Sequence, residues 1–204
     1  MASRRDPRYE SGGGEEEGGM RAQRRMLVIG VVLVLVGAAC STSPKRKLTA
    51  ADIAGAVVLE TYRVNLGWNY QLKGMYIDGN GVVWAYEQHG TPWYPEKLKT
   101  GEVSERDLLT KHKNATRIGT VDLDLLVQMA RQIKGAGRGP IVRAHPEHEG
   151  HGSVDVAYTL DRKTRTYTEI VLSGTGDLTA TNGSGEARSL IDYLREVEQA
   201  VGYQ

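Results

Sequence analysis

The sequence predicts an α+β domain: an antiparallel sheet built from two β-hairpins and covered on one face by amphipathic helices. Three observations carry this. Apolar and polar residues alternate on both sides of the turn-rich stretches at residues 78–81 and 161–164. Apolar residues recur at spacings of three and four over residues 123–133 and 187–201. The two kinds of pattern succeed each other as hairpin, helices, hairpin, helix.

In chain order, residues 56–64 are ambiguous. Val57, Val58, Thr61, Tyr62 and Val64 favour a strand, whereas residues 51–56 do not. Residues 70–86, YQLKGMYIDGNGVVWAY, hold the first hairpin; Gly79, Asn80 and Gly81 supply the positive φ that a tight turn needs. A Pro-rich break follows at 91–95. Ser104 with Glu105 and Asp107 then has the pattern of a helix N-cap and acidic first turn, leading into Leu108 and Leu109. Asp122 is placed to cap the next helix, whose apolar stripe is Leu123, Leu126, Met129, Ala130 and Ile133, and Gly135 with Gly137 ends it. Val154, Val156, Tyr158 and Leu160 open the second hairpin, with its return strand over 165–172. A loop rich in Gly, Thr, Asn and Ser spans 174–185, and Ala187, Leu190, Ile191, Leu194, Val197 and Val201 mark a closing helix.

The 204 residues suit one domain of ordinary size behind an N-terminal leader. Residues 41–204 carry 20 basic and 20 acidic side chains. That balance, with no basic run beyond Lys45, Arg46 and Lys47, argues against nucleic acid as a partner, because phosphate binding needs a clustered cationic face.

Residues 26–39, MLVIGVVLVLVGAA, are 14 residues without a charge, preceded by Arg21, Arg24 and Arg25. The run is short for a spanning helix and matches the apolar segment of an export signal. Met20 is a second candidate start, since residues 11–19 are a Gly/Glu stretch with no part in export. The single cysteine stands where the apolar run stops. Val36-Gly37-Ala38-Ala39-Cys40 resembles the lipobox of bacterial lipoproteins, with Gly37 where that family usually has Leu. The resemblance implies cleavage after residue 39, a diacylglycerol on the Cys40 thiol, and a mature chain beginning at Cys40. It also implies a protein held at the bacterial cell membrane or outer membrane, facing the periplasm or the exterior. Two acyl chains are enough to hold a soluble domain at a membrane without a spanning helix. Residues 1–39 are thus expected to be a signal peptide, 40–50 a tether and 51–204 the domain. In outline the folded part resembles the small uncharacterised lipoprotein domains of bacteria, a likeness that implies no activity.

With Cys40 carrying lipid, no thiol remains for disulfides, metal or nucleophilic catalysis. The densest set of ligand-type residues is His145, Glu147, His148, Glu149, His151 and Asp155. Imidazoles at 145, 148 and 151 are donors that zinc, copper or nickel accept, and they define a metal-binding or metal-sensing reading, set against a solvated loop marked by Pro146, Gly150 and Gly152. The chain has ten Tyr, three Trp and no Phe. Trp84, Tyr86, Trp93 and Tyr94 define a candidate platform for a glycan or peptide, against the alternative that they pack beneath the helices. Ser173-Gly-Thr-Gly-Asp177 lacks the lysine of a phosphate-binding loop, and no G-x-S-x-G elbow occurs. No catalytic residue and no cofactor is nominated, and the chain is not expected to be an enzyme. The sequence thus points to a lipid-anchored extracytoplasmic domain that binds an envelope protein or glycan. The alternatives are the metal reading and an envelope enzyme with residues still to be named.

Overall fold

The computed structural model describes residues 46–65, 67, 70–90, 102–144 and 150–203, which fall within the compact unit Lys45–Gln204. The elements are α1 (Ala50–Ile53), β1 (Val57–Asn65), β2 (Gln71–Asp78), β3 (Val82–His89), β4 (Glu102–Ser104), α2 (Glu105–Lys111), β5 (Thr116–Thr120), α3 (Leu123–Ala136), β6 (Ile141–Arg143), β7 (His151–Asp161), β8 (Thr166–Gly174), β9 (Ala180–Asn182) and α4 (Gly185–Val201). All nine strands join one antiparallel sheet in the order β5-β3-β2-β1-β7-β8-β9-β6, with β4 added beside β8. The fold is mixed α/β with an antiparallel sheet.

β1 is the central strand, paired with β2 on one side and β7 on the other. Successive side chains of a strand point to opposite faces, and here both faces are covered: Leu59 and Glu60 are each wholly buried. On the Leu59 side, Met75, Ile77, Val83, Ala157 and Leu172 pack against Leu126, Val127, Ala130 and Ile133 of α3 and Leu190, Tyr193, Leu194 and Val197 of α4. Those helical positions form the apolar stripes read from the sequence, and burying them is what fixes each helix on the sheet.

The helix ends follow local chemistry. The Asp122 side chain accepts from Leu125 N at 2.8 Å and that of Ser184 from Ala187 N at 3.1 Å. Gly202, at φ +67, closes α4 in the left-handed conformation that glycine adopts without a Cβ clash. Asn182, buried on β9, donates to Ala136 O and Val171 O and accepts from the backbone and hydroxyl of Ser184, so one side chain ties the end of α3 and strand β8 to the start of α4.

The sheet differs from one of two hairpins with helices on a single face. It has nine strands, and α2 lies opposite α3 and α4, with Leu108 packed among Val103, Val154, Val156, Tyr158 and Tyr167. β4, β5, β6 and β9 run only three to five residues. That is too short for alternation to register in a sequence, and long-range pairing is what makes them strands.

Candidate functional site

Two features on the sheet carry the polar chemistry of the described residues. The first is a sealed charge cluster under α2; the second is an open groove at the ends of β1, β2 and β7.

The cluster centres on Glu60, which points to the α2 side of the sheet. The Tyr86 hydroxyl and Tyr158 hydroxyl donate to its two carboxylate oxygens, the latter at 2.5 Å. His112 Nε2 lies 3.1 Å away and Lys111 Nζ 3.0 Å away, both on Oε1. Tyr86 sits two strands from Glu60 and reaches it across Gly74 of β2, where a Cβ would come within 2.5–2.7 Å of the tyrosine ring and hydroxyl. Glycine at 74 is therefore what lets the ring lie flat over the sheet. Lys111 Nζ also stands 3.7 Å from the centre of the Tyr62 ring, and the His112 ring stacks on Tyr76 at 4.0 Å. The Gln88 amide holds the end of α2 by donating to Thr110 O and Lys111 O.

Burial alone would raise the Glu60 carboxyl. The Lys111 and His112 charges and the hydrogen bonds from His112 and Tyr158 outweigh it and hold Glu60 well below the usual carboxylate range. Burial and the neighbouring Glu60 charge push the Tyr86 and Tyr158 hydroxyls well above theirs. Glu60 is thus a fixed anion whose acceptor sites are occupied, and what it does is clamp α2 to the sheet.

Glu169, on β8, behaves oppositely. It accepts from the Tyr158 hydroxyl at 3.2 Å, and burial raises its carboxyl above 4.5, with Lys111 pulling it down and Glu60 pushing it up. Its contribution to stability is therefore complete below the unfolded value and is lost as pH rises through its folded one; Glu60's is complete above 4.5 and is lost as pH falls through its own. Glu169→Gln keeps an acceptor for Tyr158. It is expected to raise stability at neutral pH and to flatten the gain in stability on acidification toward pH 4.5, read from thermal melts across pH. A melt profile parallel to that of the wild type would refute this.

The groove encloses about 390 Å³ and is lined by Arg63, Val64, Asn65, Gln71, Lys73, His151, Gly152, Ser153 and Thr175. Strand register builds it: Arg63 faces Lys73 across β1 and β2, and faces Ser153 across β1 and β7. Gly152 permits the floor, since a Cβ there would meet Thr175 O at 2.5 Å. The Ser153 and Thr175 hydroxyls stand 2.7 Å apart. Beside the mouth, Asp177 accepts from Gly150 N at 2.8 Å, a turn-capping role.

Of the residues singled out in the sequence, His151 opens β7, is exposed, and lines the groove. His145 and His148 lie outside the described residues, as do Cys40, Trp93 and Tyr94. Among the described residues no three His, Cys, Asp or Glu side chains gather as metal ligands, and no helix is long and apolar enough to cross a membrane. Trp84 lines a small slot of about 140 Å³ under α2 with Tyr76, Asp78 and Leu109, and donates Nε1 to Asp78 at 2.9 Å. Tyr86 is not a surface platform residue: it is 3% exposed and its hydroxyl is engaged by Glu60. Its place beside Trp84 follows from period-two spacing, but the far side of that face is covered rather than open.

Sequence reasoning passed over Glu60, Lys111, His112, Glu169, Arg63 and Lys73. One signal was present: Glu60 is a lone charge within the run Val57-Val58-Leu59-Glu60-Thr61-Tyr62, and a charge in a run that apolar is rarely buried without a partner.

Fold and site define a mixed α/β domain that joins an internal charge clamp to an open polar groove. Comparison with known proteins finds no matching family model, no matching curated protein and no matching solved structure.

Proposed function

We propose that the chain is a lipid-anchored extracytoplasmic binding domain, held by Cys40 at a bacterial membrane and taking its ligand in the groove at the ends of β1, β2 and β7. The observation that carries the binding half is the groove itself. It is open and about 390 Å³ in volume, and strand backbone rather than long loops positions its polar lining. The lipobox resemblance of Val36 to Cys40 supports the anchor. The two long hairpin pairs, β2 with β3 and β7 with β8, are in this reading the frame that carries the groove. Binding is favoured over catalysis because the strongest acid-base cluster, around Glu60, is sealed under α2 with its acceptors occupied. An envelope protein or glycan component is the partner class that fits this location.

The anchor is tested by mass spectrometry of the membrane fraction. The expected species begins with an acylated Cys40, and Cys40→Ser is expected to move the protein out of that fraction or stall it with its leader intact. A wild-type chain with its leader uncut and a free Cys40 thiol would overturn the reading.

A further inference from the structure

We propose that the domain stands on the lipid bilayer with the end of the sheet at which the chain enters, seating Leu109, Leu123 and Leu125 at the membrane surface, so that the groove opens away from the membrane. The inference rests on the reading of Cys40 as a lipid anchor and adds which end of the domain meets the lipid. Hydrogen bonds define the entry end. Arg46 donates to Asp52 of α1, Gly79 N in the turn between β2 and β3 donates to Ala56 O, and Val121 N, just before α3, donates to Gly81 O. Arg162, in the turn between β7 and β8, donates to Asp52 O and Ala54 O. The incoming chain, α1, two turns and the start of α3 therefore gather where β1 begins, while the groove lies where β1 ends, at Arg63, Val64 and Asn65.

Chain length separates the two ends. Six residue steps lead from Cys40 to Arg46, at most about 22 Å fully extended. β1 runs eight steps from Val57 to Asn65, which puts the groove about 26 Å from the entry end. A domain resting on its groove would stretch that tether to its limit or past it; one resting on its entry end leaves it slack. The exposed apolar side chains agree. Among the described residues the large ones left open are Leu109, Leu123 and Leu125, with Ile141 and Val142 on β6. Leu109, 65% exposed on α2, lines the slot with Gly55, Val57 and Asp78 of the entry end, and Leu123 and Leu125 open α3 just after Val121. One exposed leucine is ordinary, but three from helices on opposite faces of the sheet, at the end held nearest the lipid, suit the boundary between headgroups and acyl chains. Charge is not the attraction. Arg46 pairs with Asp52 and Arg165 with Glu105, and the carboxylates of Asp122, Asp124 and Asp161 stand at the same end as Lys47, Arg162 and Lys163.

The test reconstitutes the full chain in phosphatidylcholine and in phosphatidylglycerol vesicles. A nitroxide is placed on Asn80→Cys, in the exposed turn of the entry end, or on Asn65→Cys at the groove. Acylated Cys40 has its sulfur occupied and takes no label. On reconstitution the label at 80 is expected to gain several-fold in contact with membrane-dissolved oxygen relative to an aqueous nickel chelate, equally in both lipids, while the label at 65 stays open to the chelate. Leu109→Ser with Leu125→Ser is expected to return the label at 80 to the chelate, and Leu109→Ser alone to do so in part. With Cys40 shown by mass to be acylated, a label at 80 as open to the chelate as that at 65 would overturn this inference and leave the anchor standing. So would protection at 65 with none at 80. Loss of the chelate at 80 without a gain in oxygen would mean that protein rather than lipid covers this end, and protection in phosphatidylglycerol alone would mean that charge rather than the leucines holds it; either overturns the proposal. A Cys40 without acyl chains would overturn the anchor, and this inference with it.

Discussion

Replacing Lys111 by methionine is expected to cost about 3–5 kcal/mol at neutral pH, the range for breaking a buried ion pair by removing one partner. Lys111 and Glu60 are both wholly buried, 3.0 Å apart, so methionine fills the space but leaves the Glu60 carboxylate with less compensating charge in a site that water does not reach. Glu60 still accepts from Tyr86, Tyr158 and His112 in the variant, which places the loss nearer the lower end. The pH dependence gives the sign a second check. Lys111 is the largest of the influences that lower the Glu60 carboxyl, so without it Glu60 takes up a proton at higher pH. The deficit relative to wild type should therefore shrink on acidification. Urea midpoints at neutral and mildly acid pH measure both. A Lys111→Met variant within about 0.5 kcal/mol of wild type would show that the pair holds nothing together. Glu60→Leu combined with Lys111→Met is expected to lose less than the sum of the single changes, because it removes both charges at once, although it takes the Glu60 acceptor from the Tyr86 hydroxyl and leaves that of Tyr158 with Glu169.

Gly79→Ala is the second large effect. A Cβ at 79 would lie 1.7 Å from the Ile53 carbonyl oxygen and 2.4 Å from its carbon. Both are backbone atoms at the end of α1, and Gly79 N already donates to Ala56 O at 2.6 Å, so neither side can swing clear. Either the turn between β2 and β3 shifts or α1 lifts off, with loss of the Ile53 contact to the core. Overpacking typically costs 1–3 kcal/mol, and an obstacle of main chain puts this change at about the upper limit or beyond. Gly55→Ala is the matched control. Gly55 sits at φ +71 with nothing within 4 Å of its Cβ position, so it should lose only about 1–2 kcal/mol for the left-handed backbone. Thermal melts of the pair, with hydrogen exchange at Ile53 and Ala54, separate the two causes; equal losses would refute the steric account.

α3 and α4 were legible because each buries one stripe and leaves the other side wet, so burial is written as a period near 3.6, and Asp122 marks the start of α3. The strands at 71–78 and 82–89, and those at 151–161 and 166–174 over 154–160 and 166–172, were legible from alternation and from the turn residues between them, whereas His151 and Gly152, read as loop, open β7 by pairing with Asn65 and Val64. β1 was not, for a physical reason. A central strand covered on both faces has no wet side to alternate with, so Leu59 and Glu60 look like neighbours in one run while pointing to opposite sides of the sheet.

The charge clamp and the groove were beyond the same kind of reading. Glu60 meets residues 26, 52 and 98 positions away in Tyr86, His112 and Tyr158. Arg63 meets Lys73 and Ser153 only because the register of β2, β1 and β7 brings them level. His151 was singled out for its neighbours in sequence, yet its described surroundings are the amides, hydroxyls and cations of three strands.

Taken alone, the sequence determined the class of fold, the course of the long helices and most of the long strands, and the N-caps of α2 and α3, all of which depend on residues within a few positions of one another. The tertiary structure alone decided the nine-stranded order, the placement of α2 opposite α3 and α4, and the grouping of charges into a clamp and a groove. Strand pairing sets those contacts, and pairing is chosen by burial over the whole sheet, which no local pattern of residues records.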